Sequence, residues 1–333
     1  MKTLAALAVL AAAIAAAGCG GDESGPLTVY SGREEELVAP LFEQFTEATG
    51  IAVEVRYGDS AELAAAISEE GDGSPADVFF AQDPGSLGAV GGQLAELPPG
   101  ILDRVDAAYR DADGRWVGTS GRSRVLVYNT DAVAEADLPS SVFDLTDPAW
   151  QGRVGIAPTN GSFQAFVTAM RLTAGEERTR QWLRDLDENG AKTYEKNSPI
   201  VEAVAAGEID LGLVNHYYVP LVKQEQPEAP IANHFLEPGD PGALVSGAGA
   251  GVLAATDQRG DAEKLVDFLL SDDAQRFYVK EAEEAEYPLV AGIQPAAGLP
   301  PLAGLQGPDV DLTTFGPELE KTVELLRETG WLS

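Results

Sequence analysis

The chain has 333 residues, with 54 Asp and Glu against 22 Lys and Arg and a formal net charge of −32. A surface so negative excludes nucleic acid and anionic lipid as partners of the folded surface. A single cysteine excludes a disulfide within the chain, and the length exceeds what one hydrophobic core usually supports, so two domains are expected.

The N-terminus reads as an export signal. Lys2 gives a positive start, and residues 4–17 form an Ala-rich apolar stretch too short to span a bilayer. Ala16-Ala17-Gly18 then leads into Cys19, the lone cysteine. Small residues before a cysteine resemble the lipobox of bacterial lipoproteins, with Ala16 where Leu is usual. That resemblance implies removal of residues 1–18, a lipid on Cys19, and a flexible Gly-rich tether over 19–26. The alternative is an ordinary cleaved signal followed by an incidental cysteine. No later apolar run reaches the ~18 residues that a transmembrane helix needs.

Residues 27–30 read as a short buried strand closed by Ser31-Gly32. Leu37, Val38, Leu41, Phe42 and Phe45 recur at helical spacing and predict a helix over 34–49, stopped by Gly50. Strand 51–55, helix 61–67 and strand 77–80 follow, an alternation that implies βαβ units and a mainly parallel sheet. At 116–118 and 124–128 two strands come with no helix between them, which reads as a crossing from one lobe to the other.

A second set follows: strand 153–156, helices 163–173, 178–186 and 199–205, and strand 211–214. The Gly- and Ala-rich run 242–255 reads as a return strand, followed by helices 262–270 and 274–281. A last helix over 317–329 is expected to pack by Leu319, Val323, Leu325 and Leu326. Pro and Gly between 294 and 307 suggest a loop crossing back, so each lobe is discontinuous: 27–123 with 245–295, and 124–244 with 296–333.

Enzymatic readings find little support. His216 and His234 are the only histidines, and no nucleophile elbow, phosphate loop or dinucleotide fingerprint is present. A lipoprotein hydrolase would need Ser123, Ser162 or Ser246 within hydrogen-bond reach of a histidine. More informative is Asn215-His216-Tyr217-Tyr218, at the carboxyl end of the apolar strand 211–214, where ligands collect in open α/β sheets. Phenolate oxygens suit a small, hard, highly charged cation. By themselves, adjacent tyrosines more often pack into a core or line an organic pocket than bind a metal.

Thr159-Asn160-Gly161-Ser162 falls between a strand and a helix, where free backbone amides bind anions; plain helix capping by Asn160 or Ser162 is the alternative. Arg122 and Arg124, two apart at the crossing, share a face if that segment is a strand, and could pair with an anion or with the abundant carboxylates.

Taken in order, the segments resemble the periplasmic ferric-binding proteins, the iron receptors of bacterial ABC importers. They are Val29-Tyr30-Ser31-Gly32, Pro75-Ala76-Asp77-Val78-Phe79, Ser120-Gly121-Arg122-Ser123-Arg124-Val125, Lys196-Asn197-Ser198, Asn215-His216-Tyr217-Tyr218, Asp240-Pro241-Gly242-Ala243-Leu244-Val245-Ser246 and Glu286-Tyr287-Pro288-Leu289. The resemblance implies a two-lobed α/β periplasmic-binding-protein fold, each lobe a mainly parallel sheet flanked by helices, closing a cleft on Fe(III).

It further implies that Tyr217 and Tyr218 bind the metal, and that a synergistic anion such as phosphate or carbonate meets Asn160, Gly161, Ser162, Asn197, Asn215 and Arg122. The family's first-loop His is replaced around Arg33-Glu34, where Glu34 offers a carboxylate oxygen, and its Glu after the third strand is replaced by Gln82. Arg33 and Gln82 are thus candidates for the metal or its surroundings. Implied partners are an ABC permease and ATPase, with an exported monomer held at the membrane or cell surface through Cys19. The rival reading is a binding protein for an organic or anionic solute: a polyamine, a thiamine-like cation, a phosphonate or an iron chelate.

Overall fold

A computed structural model describes residues 25–280 and 285–333. The signal stretch and Cys19 lie outside the described residues. The chain opens with β1 (Leu27–Ser31), α1 (Glu35–Thr49), β2 (Val53–Tyr57), α2 (Ser60–Glu70) and β3 (Val78–Ala81). Helix α1 carries Glu35 and Glu36 in its first turn, where they suit the positive end of the helix dipole, and buries Val38, Leu41, Phe42 and Phe45. It ends at Gly50, whose φ of 75° lets its N–H close on the Thr46 carbonyl.

Short helices α3 (Pro84–Ala89) and α4 (Pro99–Leu102) lead to β4 (Val117–Asn129). Next come β5 (Val154–Ile156), α5 (Gly161–Ala174), α6 (Glu176–Glu188), β6 (Lys192–Thr193), α7 (Asn197–Ala205), β7 (Leu211–Asn215), α8 (Tyr218–Glu225) and β8 (Ile231–His234). The chain then runs through β9 (Val245–Val252), α9 (Arg259–Leu269), α10 (Asp272–Lys280), β10 (Tyr287–Pro288) and α11 (Phe315–Glu328).

The strands lie in the order β2-β1-β3-β9-β4-β7-β5-β6, with β8 and β10 also pairing with β4. The pairs β1–β2, β1–β3, β5–β6 and β5–β7 are parallel, as the helix-strand alternation implies, while β4 and β9 pair antiparallel with their neighbours. Strand β4 is where the two lobes meet. Its first part pairs with β9, from Val117↔Ala250 to Ser123↔Val245. From Arg124↔Asn215 onward it pairs with β7.

Instead of the two strands the sequence suggests, the crossing is one continuous strand. The polar run Ser120-Gly121-Arg122-Ser123-Arg124 interrupts the apolar pattern in sequence, but its backbone is paired on β9, β10 and β7, and these residues are buried. One core joins α1, β1, β3, β9 and α9 through Phe45, Phe80, Val252 and Leu265. Another is built on Phe163, Phe166, Met170 and Trp182. In α11, Leu325 and Leu326 are buried as expected, together with Phe315 and Thr322, whereas Leu319 and Val323 are half-buried.

Candidate metal centre

Strand β7 ends at Asn215, and the next three residues turn into α8. His216 sets that turn. Its Nδ1 accepts the Ser123 backbone N–H at 3.2 Å, its Nε2 lies 3.2 Å from the Ala285 carbonyl, and its ring stacks on Tyr287 with centroids 4.6 Å apart. A donor on one side and an acceptor on the other fix the Nε2–H tautomer. Burial pushes the imidazole down to about 4, so it is neutral at physiological pH. Both ring nitrogens are engaged by backbone, and the Ser123 hydroxyl donates to the Arg124 carbonyl, so this pair does not form a nucleophile and base.

The fixed turn brings Tyr217 and Tyr218 together. Their rings are 4.4 Å apart, the Tyr217 hydroxyl donates to that of Tyr218 at 3.4 Å, and Asn215 Nδ2 donates to the Tyr217 hydroxyl at 3.3 Å. Tyr217 is buried and Tyr218 half-buried. Both line a cavity of about 50 Å³ with Asn160, Gly161, Ser162, Ala165, Asn197 and Asn215, and with Gln82 and Asp83 from the end of β3, Arg122 from β4 and Ser246 from β9. Gln82, Asp83, Asn160, Gly161 and Ala165 are shared with a larger cavity of about 290 Å³, onto which Asp59, Glu195, Lys196 and Leu319 also face.

Beneath the phenols lies Arg124, opposite Asn215 across β4 and β7. Its guanidinium donates to Ser162 Oγ at 3.0 Å, Asn215 Oδ1 at 3.2 Å and the Leu213 carbonyl at 2.7 Å, and it lies over the Phe166 ring. These partners are neutral. Burial pushes Arg124 down to about 10 while Tyr217 and Tyr218 work the other way, so this cation gains from any negative charge on the phenols.

At the start of α5, Asn160 Oδ1 accepts the Ser162 N–H at 3.0 Å, and Asn197 Nδ2 reaches Ser162 Oγ at 3.3 Å. The capping reading therefore holds for Asn160, at a helix end that also borders the cavity. Asn197 Oδ1 is buried with no hydrogen-bond partner among the described residues.

Glu34 and Arg33 line neither cavity. Glu34 is exposed just before α1, where its side chain makes no capping hydrogen bond. Arg33 is drawn inward instead, where Nη1 meets both Glu286 oxygens at 3.1 Å. Glu286 also binds Arg122, whose Nη1 donates to the Gln82 carbonyl at 2.7 Å. Burial alone would push the Glu286 carboxyl up, but Arg122 and Arg33 hold it well below the usual carboxylate range.

Gln82 does border the cavity. The neighbouring Asp83, which the sequence reading passed over, borders both cavities and is the only carboxylate in the smaller one among the described residues. In sequence it looks like a helix cap before Pro84, and it does cap α3, accepting from Ser86 N and Oγ, each at 2.8 Å.

Residues 89–301 match the family described as "Bacterial extracellular solute-binding protein". The major ferric iron-binding protein of Neisseria meningitidis is 38% identical over 340 residues, covering 99% of each chain. The iron-bound structure of HitA from Pseudomonas aeruginosa superposes with a TM-score of 0.86 at 36% identity, over 92% of this chain and 100% of the other. A Trichodesmium protein solved in complex with iron and citrate ligands gives a TM-score of 0.81 at 28% identity, again over 92% and 100%. The paired phenols at a strand end, the two-lobed frame and these likenesses agree, and the chain belongs to the bacterial extracellular solute-binding proteins, within their periplasmic ferric-binding branch.

Proposed function

We propose that this protein captures Fe(III) in the interlobe cleft, with Tyr217 and Tyr218 as phenolate ligands and a small anion beside the metal, and hands it to an ABC permease and its ATPase. The observation that carries the reading is the pair of phenol oxygens 3.4 Å apart in the cleft, above the buried Arg124. A free phenol with a pKa of about 10 stays protonated at neutral pH, so the charge of the ferric ion drives the loss of both protons, helped by the cation below.

The anion, phosphate or carbonate, fits the N-terminus of α5, where Asn160, Gly161 and Ser162 lie beside Asn197, Asn215 and Arg122. The lobes are assigned to 27–123 with 245–295 and to 124–244 with 296–333, and they close by bending at β4. Cys19 holds the exported monomer to the membrane through a lipid.

Adding ferric citrate to the protein should give a visible phenolate-to-iron charge-transfer band, absent from the Tyr217→Phe, Tyr218→Phe double variant. No band in the native protein refutes the proposal.

A second reading, an organic or anionic solute, is favoured by one observation: the larger cavity offers about 290 Å³, against about 50 Å³ beside the phenols. Thermal shift against metals and small solutes separates the two, because the true ligand stabilises the state that binds it.

A further inference from the structure

The two phenols belong to one lobe, and a site closed between two lobes needs a donor from the other. Of the residues that the facing lobe sends to the smaller cavity, Gln82 and Ser246 are neutral, and Arg122 is a cation bound to Glu286. Asp83 is the remaining one. Its carboxylate is half-buried, and burial pushes it up while the bonds from Ser86 and the charge of Arg122 work the other way. It forms no salt bridge among those found in the described residues. Each oxygen spends one lone pair on Ser86, which leaves the others for a ligand. A half-buried carboxylate with lone pairs to spare, facing a cavity lined by two phenols, is a hard anionic donor of the kind that a hard trivalent ion takes.

Resting on the ferric reading above, we infer that Asp83 is the metal ligand supplied by the facing lobe. Tyr217 and Tyr218 hold the ion from one side and Asp83 from the other, so the ion itself ties the lobes together. The charges also balance better in this way. Fe(III) above the buried Arg124 outweighs two phenolates, and a third anionic donor removes part of the excess before any separate anion is bound.

Capping and ligation are separable. Asn and Ser cap a helix as well as Asp does, so Asp83→Asn and Asp83→Ser remove the carboxylate while keeping the start of α3. Both variants and the native protein are titrated with ferric citrate, following the charge-transfer band and its loss to excess citrate, with apo-protein melting as the folding control. With melting unchanged, both variants should keep a band at a shifted wavelength and hold iron about tenfold or more weakly against citrate, the least expected for a group at a metal site. A band and a citrate competition curve in Asp83→Asn and Asp83→Ser that match the native protein overturn the assignment and leave the ferric reading standing. A native protein without a band refutes the ferric reading itself.

Discussion

Glu286 is fully buried between Arg33 and Arg122, a carboxylate shared by two guanidinium groups. Such a group contributes little over a well-packed apolar replacement, yet removing it alone strands two charges. Glu286→Gln should therefore cost about 3–5 kcal/mol in urea unfolding near neutral pH. Its folded pKa lies below its unfolded value, so the stability it contributes is present above the ordinary carboxylate pKa of 4.5 and is lost as the pH falls below it. The variant should accordingly lose less on acidification than the native protein; an acid limb as steep as the native one counts against this. Both Arg33 and Glu286 are visible in the sequence, but a partnership across 253 positions is not. Local spacing carries no information on it, so the sequence offers Arg33 only as a candidate for the metal or its surroundings and not as a partner of the carboxylate that also holds Arg122. Asp83 escaped notice for the converse reason, because Asp before Pro reads fully as a helix start.

Elements with an apolar period or run were legible, the short β3 and β5 among them, whereas α8 and the pieces without such a pattern were not. Helices α1, α2, α5, α6, α7, α9, α10 and α11 and the strands between them follow from apolar periodicity and cap residues, since each carries enough turns or alternations to show its period. Strand β10 has only two residues and β8, Ile231–His234, carries no apolar run, and both exist because β4 offers them a partner. The apolar face expected of α11 was only partly right, for the helix lies between α5 on one side and α3 on the other. Thr322 meets Thr168 of α5 at 2.7 Å and Arg171 pairs with Glu318 at 3.1 Å, while its first turn lies on α3. There Gly316 is in contact with backbone: a Cβ would stand 2.6 Å from the Ala89 nitrogen and 2.8 Å from the Gly85 carbonyl oxygen. Gly316→Ala should thus destabilise by about 1–3 kcal/mol, despite the better helix propensity of Ala, as measured by denaturant unfolding. A neutral or stabilising effect would show that α3 and α11 are less tightly apposed.

Over the whole molecule, a net charge of −32 opposes compaction. Melting temperature should rise as sodium chloride goes from about 0.02 M to about 0.5 M, because the screening length contracts over that range; a flat response would mean that the carboxylates are already compensated locally. Closure is tested by solution scattering, where ferric citrate should shrink the radius of gyration of the native protein and leave the tyrosine double variant unchanged. The two-lobed frame was legible because the strand pattern changes near Trp116, but the sequence could not say that a single ribbon of backbone, β4, belongs to both sheets.

The clamp on His216 has a kinetic consequence. With each ring nitrogen held by main chain from a different part of the molecule, the aromatic couple beside it is set in place while the polypeptide folds, so the entropy of ordering it is lost then and not at each encounter. Uptake should therefore run at the pace at which iron leaves its carrier in solution, with no slow local rearrangement to be waited for.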